Sequence, residues 1–205
     1  MPDSLQFDAI IDAIIFATRK HQGQVRKDEP ASPYITHPLA VVRTIYTIGK
    51  VQNITILLAA ILHDTIEDTN TTEAEIRTHF GEEILSIVLE LTDDKSLDKM
   101  VRKQQQVLHS AGLSTEARII KLADKLSNCQ DILHTPPKDW SIDRRRDYIQ
   151  WAADVVAQIR STNPPLEAAF DKMLSQAEKN LHFSIETIES VNNRPWGPGD
   201  NPSPD

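Results

Sequence analysis

The chain holds a single cysteine, Cys129, among 205 residues, so no disulfide can form within it. One thiol suits a reducing compartment. Aromatic residues make up only 5%. No stretch approaches the ~18 unbroken apolar residues that a membrane-spanning helix needs. The opening Met1-Pro2-Asp3-Ser4 has neither the basic segment nor the apolar run of a secretory signal. Positive charge is in deficit, with 22 Lys and Arg against 30 Asp and Glu and a formal net charge of -8. That balance excludes binding to nucleic acid or an anionic membrane through bulk electrostatics, while leaving room for an anionic ligand in a locally basic pocket. A soluble cytoplasmic protein with no nucleic-acid or membrane partner is expected.

Strand-type alternation is also missing. Apolar residues recur at helical spacing instead, and an all-α fold follows. Phe7, Ile10, Ile11, Ile14 and Ile15 carry a first helix to about Lys20. A Pro-bearing loop from Asp28 to Pro33 leads to a second helix, starting near Thr36 and Pro38 and running to Gly49. An apolar helix spans Ile54 to Ile66, and Thr72 with Glu75 forms a capping box for the next. Further helices cover Glu82 to Leu91, Ser96 to Leu108, Ser114 to Leu133, Ser141 to Arg160 and Leu166 to about Ile185. The segment from Ser96 to Leu108 is polar enough to lie outside the core. Residues 1–190 read as a single domain, and the Pro/Gly-rich residues 191–205 read as a flexible tail that cannot bury a core.

The most informative stretch is Leu57 to Thr69. Apolar residues with no polar face run into His63, Asp64, Glu67 and Asp68 without a turn signal. His63 and Glu67 stand four apart, as do Asp64 and Asp68, so two adjacent rows of a helix carry an imidazole and three carboxylates. Such carboxylates repel one another and are costly to bury unless a cation neutralises them. A second element, Lys121, Asp124, Lys125 and Asn128, forms one polar stripe on an otherwise apolar helix. Its plain alternative is a solvent-facing stripe. His37 stands at a helix start before Pro38. Together His37, His63, Asp64 and Asp124 offer mixed nitrogen and oxygen ligation, which suits Mn²⁺, Fe²⁺ or Zn²⁺ better than Ca²⁺. Glu67 and Asp68 would then orient a water or carry its proton, and phosphoester hydrolysis is the natural chemistry. Arg26, Lys27, Lys95, Lys99, Arg102, Lys121, Lys125 and the Arg144–Arg146 run beside Tyr148 form basic groups able to bind phosphates. Lys103 and Arg145 read as solvated charge.

The ordered motifs His21-x-Gly23-Gln24-x-Arg26-Lys27, Tyr34-x-x-His37-Pro38, Leu62-His63-Asp64-x-x-Glu67-Asp68-Thr69, Phe80-Gly81, Leu91-Thr92-Asp93-Asp94-Lys95 and Lys121-Leu122-Ala123-Asp124-Lys125-x-x-Asn128 resemble the hydrolase domain of RelA/SpoT homologues, within the HD-domain superfamily. The likeness covers about residues 5 to 160 and leaves no space for synthetase, TGS or ACT-like regions, so it points to free-standing small alarmone hydrolases, metazoan SpoT homologues among them. It implies a single-domain helical bundle of roughly eight to ten helices. It also implies Mn²⁺-dependent removal of the 3′-pyrophosphate of (p)ppGpp, giving GDP or GTP and pyrophosphate. By the same likeness His37, His63, Asp64 and Asp124 hold the metal, and Glu67 and Asp68 activate water. Arg26 and Lys27 hold the substrate, Asn128 the nucleotide near the metal, and Lys99, Arg144 and Tyr148 its phosphates and ribose. Two rival readings are an HD phosphohydrolase for (p)ppApp or the 2′-phosphate of NADPH, and a nucleotide sensor that has lost catalysis. Intact ligand and acidic positions disfavour the sensor.

Overall fold

A computed structural model describes residues 4–28 and 30–186. The expected tail, 191–205, lies outside the described residues. Ten α-helices are found among them: α1 Ser4–Lys20, α2 Thr36–Thr47, α3 Ile54–Leu62, α4 Thr65–Asp68, α5 Glu73–Phe80, α6 Glu82–Leu91, α7 Lys99–His109, α8 Thr115–His134, α9 Ile142–Ala157 and α10 Pro164–Leu181. The nearest thing to sheet among the described residues is an isolated bridge between Val25 and Pro33, which closes the loop after α1.

Most helix starts follow from local chemistry. Asn53, Asp98, Ser114, Ser141 and Asn163 each accept a first-turn N–H at an N-cap. Thr72 and Glu75 close the capping box of α5 from both sides. Helix α10 begins two residues before Leu166, because Pro164 and Pro165 fit the first turn, where no N–H is required. Helix α2 starts at Thr36 with no side-chain cap, and the Thr36 hydroxyl donates to Pro33 O (2.8 Å).

Helix α3 is the axis of the bundle. Every residue from Ile56 to Leu62 is buried, and the helix packs against α1, α2, α6 and α8. It stops earlier than its apolar pattern predicts. The single helix expected from Ile54 to Ile66 breaks at His63–Asp64, and α4 resumes at Thr65. Side chains there compete for backbone carbonyls: Thr65 Oγ1 donates to Leu62 O (2.7 Å) and His63 Nδ1 to Ala60 O (2.8 Å). The break puts His63 and Asp64 on a turn at the end of a rigid core helix.

Helix α8 runs beside α2, α3, α6, α9 and α10. Lys121 and Lys125 are 7% and 5% exposed, so the polar stripe faces inward and the solvent-facing alternative is excluded. Helix α7 is outside the main core, as its polarity predicts, but Val107 anchors it to Trp151 and Val155 of α9 in a small separate cluster.

Candidate active site

The turn after α3, the start of α2 and the middle of α8 converge. His37 Nε2 stands 3.1 Å from Asp124 Oδ1 and 3.8 Å from Asp64 Oδ2. His63 Nε2 stands 3.2 Å from Asp64 Oδ2 and 3.9 Å from Asp124 Oδ1. Ligand atoms of His37, His63 and Asp124 all lie within 4.8 Å of one another. Because His63 Nδ1 donates to Ala60 O, its Nε2 presents a lone pair to the two carboxylates and has no hydrogen-bond partner. A buried lone pair among anionic oxygens lacks a cation, and two imidazoles with two carboxylates suit a divalent transition ion. The donor set fits a metal.

Surrounding bonds hold these groups in place. Tyr34 Oη reaches Asp64 Oδ2 (2.7 Å) and Asp68 Oδ2 (3.0 Å). Burial, with both carboxylates nearby, pushes the tyrosine hydroxyl far above its ordinary range, so it stays a donor. Asn128 donates to Asp124 Oδ1 (2.6 Å) and Lys125 to Asp124 Oδ2 (3.1 Å), while the Lys125 ammonium also lies 4.3 Å from the centre of the Trp151 ring. Burial alone would raise both ligand carboxyls. His63 and His37 outweigh it at Asp64, as do Lys125 and the imidazoles at Asp124, and both are held below the usual carboxylate range.

Glu67 behaves oppositely. Burial pushes it up to about 7, against a 2.9 Å bond from Asp93 N to its Oε2, and Asp93, Asp64 and Asp68 add repulsion. Asp68 is occupied by Tyr34 and by an ion pair to Lys95. Burial thereby sets Glu67 to change protonation near neutrality.

Two cavities share Arg26, Tyr34, Glu67, Asp68 and Asn128. The inner one, about 190 Å³, contains all four ligand candidates and Lys121. The outer one, about 890 Å³, includes Lys27, Arg102, Tyr148, Trp140, Ile132 and Pro137 in its wall. Arg26 bridges them, bonding Asn128 Oδ1 (3.2 Å) and Asp131 Oδ2 (2.5 Å). Lys121 is pushed down to about 8 by burial and by Lys125, against the pull of Asp93, Asp124 and Glu67.

Lys99 and Arg144 line neither cavity. They gather beside the outer one, where burial and then Arg144, Lys27 and Arg102 lower the Lys99 ammonium. Arg144 stacks on Trp140 at 4.4 Å. Two neighbours depart from expectation. Lys103 is no solvated charge: it lies 4.9 Å from the Trp151 ring centre, and burial pushes it down to about 8. Arg145 has its Nε buried. Arg146 turns away to cap the Leu181 carbonyl (2.9 Å from Nε).

A family model for the HD domain matches residues 13–159. The chain belongs to the HD-domain family. This HD domain is 48% identical over 164 residues to guanosine-3′,5′-bis(diphosphate) 3′-pyrophosphohydrolase MESH1 of Xenopus tropicalis, across 80% of this chain and 92% of that protein. It is 43% identical over 167 residues to the human protein of the same name, across 82% and 93%. A solved structure, described as a metazoan ortholog of SpoT that hydrolyzes ppGpp, superposes with a TM-score of 0.80 at 37% identity, covering 82% of this chain and 94% of that one. Its likeness bears out the all-α HD bundle. Sequence reasoning passed over Tyr34, Asp93, Gln106 and Trp140 as site residues. Tyr34 and Asp93 each had a signal, since both stand in motifs matched to the family.

Proposed function

We propose that this HD domain is a metal-dependent hydrolase that removes the 3′-pyrophosphate of guanosine 3′,5′-bis(diphosphate), releasing GDP and pyrophosphate. The observation that carries it is the convergence of His37, His63, Asp64 and Asp124 at the inner end of a cleft whose outer wall holds Arg26, Lys27, Lys95 and Arg102, with His63 Nε2 unpartnered. The names of the relatives supply the substrate.

His37, His63, Asp64 and Asp124 are the residues that would hold the ion, and Mn²⁺ is the ion proposed. When bound, it supplies Lewis-acid polarisation of a phosphoryl oxygen. Glu67, titrating near neutrality, takes the proton of the attacking water. Asp68, fixed by Tyr34 and Lys95, holds the site's outer acidic edge. Arg26 and Lys27 grip the nucleotide where the two cavities meet. Asn128 spans between Arg26 and Asp124. Lys121 offsets phosphate charge from the inner wall, and Lys99, Arg144 and Tyr148 contact phosphates and ribose on the outer side.

The cytoplasm is the proposed setting, consistent with a buried, unpaired Cys129. The domain is proposed to extend over residues 1–190, beyond the matched 13–159.

The test is pyrophosphate release from chelator-treated protein given ppGpp, with and without Mn²⁺, beside ppApp and NADPH. Mn²⁺-dependent release from ppGpp supports the proposal. Turnover confined to ppApp, or phosphate release from NADPH alone, moves the substrate and keeps the chemistry. Mn²⁺ binding without turnover on any of the three overturns the hydrolase reading in favour of a nucleotide sensor.

A further inference from the structure

Gln106, on α7, enters the inner cavity from a helix outside the main core. Its Nε2 donates to Asp93 Oδ2 at 2.6 Å. That bond settles which way the amide faces, because the reversed orientation would set its oxygen against a carboxylate oxygen. The amide oxygen is thereby turned elsewhere. It is buried and has no hydrogen-bond partner. Gln106 shares the cavity wall with Glu67, and Asp93, which holds the Gln106 amide through its side chain, holds Glu67 Oε2 through its backbone N–H (2.9 Å).

A buried acceptor without a donor costs about 1–3 kcal/mol, so its presence in a reaction cavity calls for a partner. The chemistry of that partner is restricted. A phosphate oxygen carries charge and no proton, and an amide oxygen repels it. The partner must bring a proton to donate, on oxygen or nitrogen. Three kinds are available to the reaction, a water, a sugar hydroxyl and the N–H groups of the base, and size separates the water from the other two. The inner cavity holds about 190 Å³. That is below the roughly 300–1,000 Å³ of pockets that enclose drug-sized ligands, whereas one water occupies about 30 Å³. The outer cavity, about 890 Å³, has space for a nucleoside.

We infer that Gln106 is a catalytic residue whose amide oxygen accepts a hydrogen bond from the attacking water. The inference rests on the hydrolase reading above. A water has two protons, and this wall offers two acceptors. One proton is held by Gln106 Oε1; the other passes to Glu67. With both protons directed to the wall, an oxygen lone pair is left for phosphorus. A new bond forms between water oxygen and phosphorus, and the bond from phosphorus to the ribose oxygen breaks. The electron pair of that broken bond leaves with the ribose oxygen, which takes up one proton, and Glu67 returns its own proton to solvent. A glutamine that orients an attacking water is a recurring device in nucleotide phosphate hydrolysis.

The test is steady-state kinetics of Gln106→Met, which fills the space and cannot reproduce the amide acceptor, and of the exchanged pair Gln106→Glu with Asp93→Asn, which keeps a carboxyl oxygen at the same reach and lets the new amide at 93 donate across the bond. Both are measured beside wild type on ppGpp with Mn²⁺, with metal affinity determined separately by calorimetry. Gln106→Met is expected to lower kcat by about 10²-fold, with KM and Mn²⁺ affinity within twofold of wild type, and the exchanged pair to recover at least tenfold of the loss. Should Gln106→Met lose its thermal transition, Gln106→Asn, which withdraws the oxygen by one bond, is expected to show the same kcat loss with KM unchanged. A kcat within threefold of wild type in Gln106→Met, or equal losses in Gln106→Met and the exchanged pair, overturns the role of Gln106 alone. A wild-type protein inert toward ppGpp overturns the hydrolase reading, and the inference with it.

Discussion

Glu67 and Asp93 meet at 2.9 Å, the backbone N–H of Asp93 donating to Glu67 Oε2. This bond ties the short helix carrying the acidic pair to the loop after α6 and leaves Oε1 as the free oxygen for proton transfer. Replacing Glu67 with Gln keeps an oxygen for the Asp93 bond and removes the base. Turnover is expected to fall by about 10²-fold or more while Mn²⁺ binding by calorimetry persists. The pH profile adds a second check. Since Glu67 must be deprotonated to act and burial holds it at about 7, kcat should rise with pH up to about 7 in wild type. A bound cation nearby draws that limb to lower pH, and the limb should vanish in Glu67→Gln. Retained turnover in the variant removes Glu67 from the mechanism.

Metal and stability should be linked through Asp64. A ligand that binds only the folded state stabilises it by about 2.7 kcal/mol at 100 times its dissociation constant. Adding Mn²⁺ to chelated wild-type protein should therefore raise its thermal midpoint. Asp64→Asn, which weakens the ligand set and leaves the Tyr34 hydroxyl an oxygen to bond, should lose this shift and its activity together. A full Mn²⁺ shift in Asp64→Asn would falsify the assignment.

Lys20 and Glu75 join α1 to α5 through a 2.6 Å ion pair. The Lys20 hydrogen bond and the Thr72 N–H, outweighing a small desolvation cost, pull Glu75 from 4.5 down to about 2. Its folded pKa is depressed, so its contribution is fully present above 4.5 and fades as pH falls toward 2. Glu75→Gln keeps a capping-box acceptor and removes the charge. Denaturant unfolding should find the variant less stable at pH 7, with the gap to wild type closing between pH 4.5 and pH 2. A gap that stays constant across that range is the outcome against the ion pair.

Ile61 is fully buried one residue before the end of α3. Ile61→Ala should cost about 2–5 kcal/mol, through lost burial and the cavity left behind. Because α3 positions His63 and Asp64, the residual folded protein should also bind Mn²⁺ less tightly. Urea unfolding with and without the metal checks both.

The legible part of this protein is the part written in short-range pattern. Helical spacing, the capping box of Thr72 and Glu75, and the cap residues Ser114 and Ser141 determine the helices from neighbours within a turn. The candidate donor set was legible too, since an imidazole and carboxylates directly after an apolar run have few inexpensive arrangements. The helix break at His63 was not, because Thr65 and His63 can cap carbonyls in many helices without ending them.

By itself the sequence determined an all-α chain, the residue types of the candidate metal site and the order of the motifs, because these depend on spacing along the backbone. Tertiary structure alone decided that Lys121 and Lys125 face inward, that Glu67 is buried enough to titrate near 7, and that Lys103 sits against Trp151. It also brought Gln106, from an otherwise polar helix, to the wall of the reaction cavity. Each of these depends on what other helices place around a side chain, and burial, more than residue type, decides what a charge or an amide does there.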